Sequence, residues 1–131
     1  ELEGYGIGKH PYITTNTTNN GADGFFGYQS EKGNCLVIDS AVLGYCKYKE
    51  LPFSASDHVE ILRPKFVMNQ YIAMLLVTLI NQYTYRYSYG RKRSQKQIRR
   101  DVIKFPIDEN GKQNWSLMEK YIKSLPYADR I

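Results

Sequence analysis

The chain is poor in the side chains that most catalysis uses. Its 131 residues include two histidines, His10 and His58, and two cysteines, Cys35 and Cys46. Neither histidine has a cysteine or a pair of acids at ligand spacing, so no metal is expected, and a lone histidine is usually structural. There is no Walker A loop, no Gly-x-Ser-x-Gly and no His-Glu-x-x-His. The acids Asp39, Asp57, Glu60 and Asp101 are scattered, without the Asp…Glu-x-Lys pattern of a nuclease. A glycine-rich cofactor loop followed by Asn/Asp-Pro-Pro-aromatic is also missing. On these grounds no catalytic residue and no cofactor is expected, and the composition argues for a binder.

Long apolar runs are missing too. The longest, Tyr71 to Ile80, is about half the ~20 residues of a membrane span, and reads as a core helix. The two cysteines have no metal-type spacing; two free, buried thiols in a cytoplasmic protein are expected, with a disulfide as the alternative. No signal peptide is visible at Glu1, and the absence of an initiating Met fits a fragment. The length suits one domain burying roughly two-thirds of its chain surface.

Acids are scarce in one place above all. Residues 83–104 hold eight of the 18 Lys and Arg residues and a single acid, Asp101. That stretch carries a charge of about +7 and the rest of the chain about −2, so the basic character is local. Tyr83, Tyr85, Tyr87 and Tyr89 alternate into it. Cations for phosphates beside flat rings that pack on sugar or base are what a polyanion such as nucleic acid requires. A solvated, charged helix end is the competing reading of the same residues.

The first sixty residues read as short strands: Tyr12–Thr14, Phe25–Gln29, Cys35–Ile38, Gly44–Tyr48 and His58–Leu62, separated by turns such as Asn19-Asn20-Gly21 and Lys32-Gly33-Asn34. After Arg63-Pro64, Asn69 is placed to cap a helix whose Ile72, Leu75, Leu76, Leu79, Ile80 and Tyr83 share one stripe, ending near Tyr87. Ser94-x-x-Gln97 is a capping box opening a second, short helix. Val102–Phe105 reads as a strand, and Asn110-Gly111 as a turn. A last amphipathic helix from Ser116 is expected to bury Leu117, Met118, Tyr121, Ile122 and Leu125. The fold class is α+β: a mixed, strongly curved β-sheet from the N-terminal half, with a buried helix, a short basic helix and a C-terminal amphipathic helix.

Two surfaces are candidates for binding. In the first, the N-terminus of the short helix offers unpaired N–H groups close to Arg91, Lys92 and Arg93. On a helical wheel Lys92, Lys96, Arg99 and Arg100 share a face opposite Ile98 and Val102. Such contacts position a protein on DNA without specifying sequence. The second is the loop His10–Asn20, where Asn, Thr and Tyr have base-reading chemistry, although such a loop is more often simply a turn-rich surface.

Several segments together resemble a known family. Pro11-Tyr12-Ile13, Asn19-Asn20-Gly21 and Gly33-Asn34-Cys35-Leu36 are similar to the opening of a target recognition domain. Phe53-Ser54-Ala55-Ser56-Asp57-His58-Val59, Tyr87-Ser88-Tyr89-Gly90-Arg91 and Ile103-Lys104-Phe105-Pro106 follow in the same order. The family is the specificity (S) subunits of type I restriction–modification systems, with the S-like subunits of fused enzymes of the BcgI kind. The ending, Asn114 to Leu125, resembles the close of such domains in the second group. The resemblance implies a non-catalytic reader of double-stranded DNA that brings methyltransferase (M) subunits, and in some systems a restriction (R) subunit, to half of a split target. It implies DNA contacts from Tyr12, Thr14, Thr15, Asn19 and Asn20, and from Tyr87, Tyr89, Arg91, Lys92, Arg93, Ser94 and Lys96. Residues 1–112 would be the recognition domain and 113–131 a helix packing on that domain or on a partner subunit. The chain departs from the family in holding one such domain and no long spacer helices, which leaves an excised half, a single-domain subunit or self-association open. A small divalent-metal nuclease and a basic protein- or RNA-interaction module are the alternative readings.

Overall fold

The computed structural model describes residues 7–14, 22–26, 31–40, 44–88, 90–126 and 128–130. Thr15, Asn19, Asn20 and Tyr89 therefore lie outside the described residues. Among the described residues six strands come first: β1 (Ile7–Ile13), β2 (Ala22–Phe26), β3 (Cys35–Asp39), β4 (Cys46–Lys49), β5 (Ser54–Ala55) and β6 (Val59–Leu62). Three α-helices follow: α1 (Gln70–Asn81), α2 (Gln95–Arg100) and α3 (Trp115–Ser124). The class is mixed α+β, strands before helices.

In place of one curved sheet the strands make two three-stranded sheets, ordered β2-β1-β5 and β4-β3-β6. The first is mixed: β1 runs antiparallel to β2 and parallel to β5. Its β1–β2 register slips on either side of Pro11, between Ile7 and His10 and again between Pro11 and Ile13. Proline has no N–H for the ladder, so pairing irregularity gathers around it. The second sheet is wholly antiparallel.

β3 explains why the sheet divides. All five of its residues are buried, and successive side chains point to opposite faces. Leu36 and Ile38 join Cys46, Met68, Ile72, Leu76 and Ile80 in a cluster against α1. Cys35 and Val37 join Ile13, Ala22, Phe53 and Val59 in a cluster against the β1 sheet. A strand apolar on both sides needs cover on both, and the layers are α1, the β3 sheet and the β1 sheet. Both cysteines are free and buried, on opposite faces. At Gly33 the backbone lies tight against residues 50 and 51: a Cβ there would sit 2.1 Å from the Glu50 carbonyl oxygen.

Asn69 caps α1 as its sequence indicates, its Oδ1 accepting from the Ile72 N–H at 2.9 Å. The helix stops at Asn81, not near Tyr87. The Asn81 carboxamide pairs with the Cys46 backbone as a neighbouring strand would, accepting from its N–H at 2.8 Å and donating to its carbonyl at 3.0 Å. The chain then tightens into a 3-10 turn, Thr84–Arg86.

The expected strand at 102–105 forms no ladder. Ile103 and Phe105 instead insert singly into the helix-side core, and Val102, expected to face inward, is 78% exposed. α3 starts one residue earlier than expected, capped by Asn114, whose side chain accepts from the Leu117 N–H. It rests on α1 and buries Met118 and Ile122 only; Leu117, Tyr121 and Leu125 are exposed. Its first residue, Trp115, stacks on Phe66 with ring centroids 4.1 Å apart and leans on Phe105.

Candidate nucleic-acid interface

The basic segment is built from three local devices. Ser88 and Arg91 exchange both backbone hydrogen bonds, each 2.9 Å, so the chain reverses sharply between them. Ser94 then caps α2, its Oγ accepting from the Gln97 N–H at 3.3 Å. Asp101 closes the helix, its N–H donating to the carbonyls of Gln97 and Ile98. Ile98 packs against the helix-side core and turns the opposite face of α2 outward. With six residues α2 has only a small dipole, so any attraction for anions rests on its side chains.

Of the eight cations between residues 83 and 104, seven are exposed: Arg86, Arg91, Lys92, Lys96, Arg99, Arg100 and Lys104. The eighth, Arg93, is 1% exposed. Its Nε and one Nη donate to Asp101 Oδ2 at 3.0 and 2.9 Å. The Nη that bonds Asp101 also donates to the Ile80 carbonyl at 3.3 Å, and the other Nη donates to the Gly44 carbonyl at 2.9 Å. The guanidinium also lies 4.9 Å from the centre of the Tyr87 ring. Tyr87 is itself buried and donates its hydroxyl to Asp101 Oδ1 at 2.8 Å. Burial, and then this bond to a carboxylate, hold its phenol above the usual range.

Arg93 and Tyr87, both expected to face DNA, are buried, with their polar groups hydrogen-bonded inside the domain. Arg91, Lys92 and Lys96 stand exposed, and Ser94 is the cap. Tyr12, one residue before the end of β1, pairs with Ser54 and is half-buried, as is Thr14 just beyond the strand. These two belong to the β1 sheet, whereas the basic segment is anchored on α1 and the β3–β4 connection. The two candidate surfaces stand on different layers.

Sequence reasoning misses Arg86, although the alternating tyrosines are the signal for it. Its guanidinium lies 4.6 Å from the Tyr83 ring centre and 5.8 Å from that of Tyr85, and Tyr85 is 77% exposed. Two other cations, Lys47 and Lys49, are buried on β4, where loss of hydration lowers the pKa of each. A cleft of about 540 Å³ beside β4, lined by Lys47, Lys49, Met74 and Val77 among others, includes no residue of the basic segment. Among the described residues no group of three or more His, Cys, Asp or Glu could hold a metal ion. No helix among them is long and apolar enough to cross a membrane.

No curated protein and no solved structure matches the chain. A family model does, over residues 3–126, nearly the whole length, and it describes a DNA-recognition module. By that match the chain belongs to the type I restriction modification DNA specificity domain family.

Proposed function

We propose that the chain reads a specific sequence in duplex DNA and directs the methyltransferase subunits of a restriction–modification complex, and a restriction subunit where one is present, to one half of a split site. The observation that carries this reading is the family match over residues 3–126, joined by seven exposed cations within residues 83–104. Arg91, Lys92 and Lys96 take phosphates, with Tyr85 and Arg86 beside them packing on the backbone. Tyr12, Thr14, Thr15, Asn19 and Asn20 read bases, and Tyr89 makes backbone and groove contacts alongside the cations. The division of labour follows the rule that phosphate contacts position and base contacts specify. Arg93 and Tyr87 hold this surface rather than touch DNA. The exposed line of Leu117, Tyr121 and Leu125 on α3 is the face offered to the methyltransferase subunit. The protein acts in the cytoplasm, needs no cofactor of its own, and gains affinity by working beside a second half-site reader, whether a sister domain or a second copy.

Selection from a randomised duplex by the protein mixed with its methyltransferase subunit tests the reading. Enrichment of a short defined motif is expected. A flat outcome from an assembled complex that still binds DNA would reduce the basic segment to generic charge.

A further inference from the structure

We infer that Tyr87, Arg93 and Asp101 form a bracket that sets the pose of the DNA-facing cations, so that Asp101, an acid in a basic patch, strengthens DNA binding. This rests on the DNA-reading proposal above. Arg91, Lys92, Lys96, Arg99 and Arg100 all lie between Tyr87 and Asp101 in the chain, and the segment is tied down at its start, middle and end. Tyr87 immediately precedes the Ser88–Arg91 reversal, Arg93 immediately precedes the Ser94 cap, and Asp101 is the residue that ends α2.

The three ties converge on one carboxylate. Asp101 Oδ1 accepts from the Tyr87 hydroxyl, and Oδ2 accepts from Arg93. Arg93 then fastens the group to the body of the domain through the Gly44 carbonyl in the β3–β4 connection and the Ile80 carbonyl in the last turn of α1. The seat is shaped for this side chain. Gly44 has φ of +76°, and a Cβ there would come within 2.8 Å of Arg93 Cβ and Cδ. A guanidinium offers planar, forked donors; a lysine ammonium has the charge but not the fork. Besides these ties, α2 is held by the partly buried Ile98 and an exposed Gln95–Glu60 hydrogen bond, and it has no fully buried residue.

Charge alone predicts the opposite behaviour. Removing an acid from a basic surface raises attraction for phosphate, and a phosphate-contacting Arg93 would tolerate Lys. The test is binding of the full chain to a fluorescent mixed-sequence duplex over a range of salt. It uses Asp101→Asn, Arg93→Lys and Tyr87→Phe, each at a temperature where circular dichroism shows it folded. The bracket predicts several-fold weaker binding for Asp101→Asn and Arg93→Lys, and a smaller loss in the same direction for Tyr87→Phe, which keeps the ring beneath the guanidinium. A merely structural role would lower the melting temperature and leave the folded protein's affinity unchanged, and that result, or tighter binding by Asp101→Asn, would overturn the inference. If a charge-site variant does not fold, Tyr87→Phe decides alone. Lys92→Gln and Lys96→Gln, run alongside, separate the two levels. Loss of binding in these with none in the bracket variants removes the bracket only; no effect in Lys92→Gln and Lys96→Gln removes the DNA-facing assignment of the segment itself.

Discussion

The β3 sheet and the basic segment are neighbours held by different physics. β3 is covered on both faces, by α1 on one side and by Ile13 and Phe53 on the other, and non-directional burial of apolar surface secures it. Residues 87–101 bury few apolar groups. A charged, hydrogen-bonded cluster around Arg93 holds them in place, and such a cluster is demanding because a partner left alone in a buried site is costly. The contrast suits the two tasks: the sheet tolerates apolar exchange, while a ring of directional bonds fixes the pose of a surface that must stay polar.

The largest effects test that contrast directly. Phe53 is 0% exposed, and Phe53→Ala is expected to cost about 3–5 kcal/mol, seen in denaturant unfolding as one cooperative loss across the molecule. Arg93→Met should cost about 2–3 kcal/mol, below the full figure for a buried pair because Asp101 keeps some exposure to solvent. Hydrogen exchange should then speed up first in residues 84–105 while β3 stays protected. Uniform loss of protection would contradict the division. Gly44→Ala is expected to follow at about 1–3 kcal/mol, from its positive φ and the collision with Arg93, with the same local exchange pattern.

Much of this organisation is legible in the sequence, in its local chemistry. Asn69 and Ser94 cap the helices their spacing indicates, because a cap needs only its own next turn. Five of the six strands among the described residues lie on or beside their β-rich runs; the two-residue β5 carries too few residues to show. What local pattern cannot show is which partner claims a residue. Arg93 sits between exposed Lys92 and Ser94 and reads as a third DNA-facing cation, and only the approach of Gly44, Ile80 and Asp101 turns it inward. Ile103 and Phe105 alternate as a strand would, yet pack singly against the helix layer. In α3 the apolar stripe is wider than the face α1 can cover, so Leu117 and Tyr121 remain outside.

A subtler contrast lies between the thiols and the surface. Burial pushes the Cys46 thiol up to about 12 from an ordinary 9.0, so the folded state favours its protonated form. Its contribution is therefore complete below about pH 9 and is lost as the pH rises toward 12, by about 1 kcal/mol at about pH 10. Cys46→Ala should flatten that alkaline limb of the stability curve, and a limb left unchanged would place the titration elsewhere. Least of all should come from Leu117→Ser, expected to change unfolding stability by under about 0.5 kcal/mol; a larger loss would show that α3 buries more than its inner face.

The central claim is that exposed cations around the turn and α2 meet phosphate while their buried neighbour only holds them. Its most direct measurement is the salt dependence of duplex binding by wild type and by the variant combining Arg91→Gln, Lys92→Gln and Lys96→Gln. The slope of log K against log salt should fall by about 0.9 for each phosphate that the variant no longer neutralises. A slope equal to that of wild type would contradict the claim and leave these residues as a solvated face.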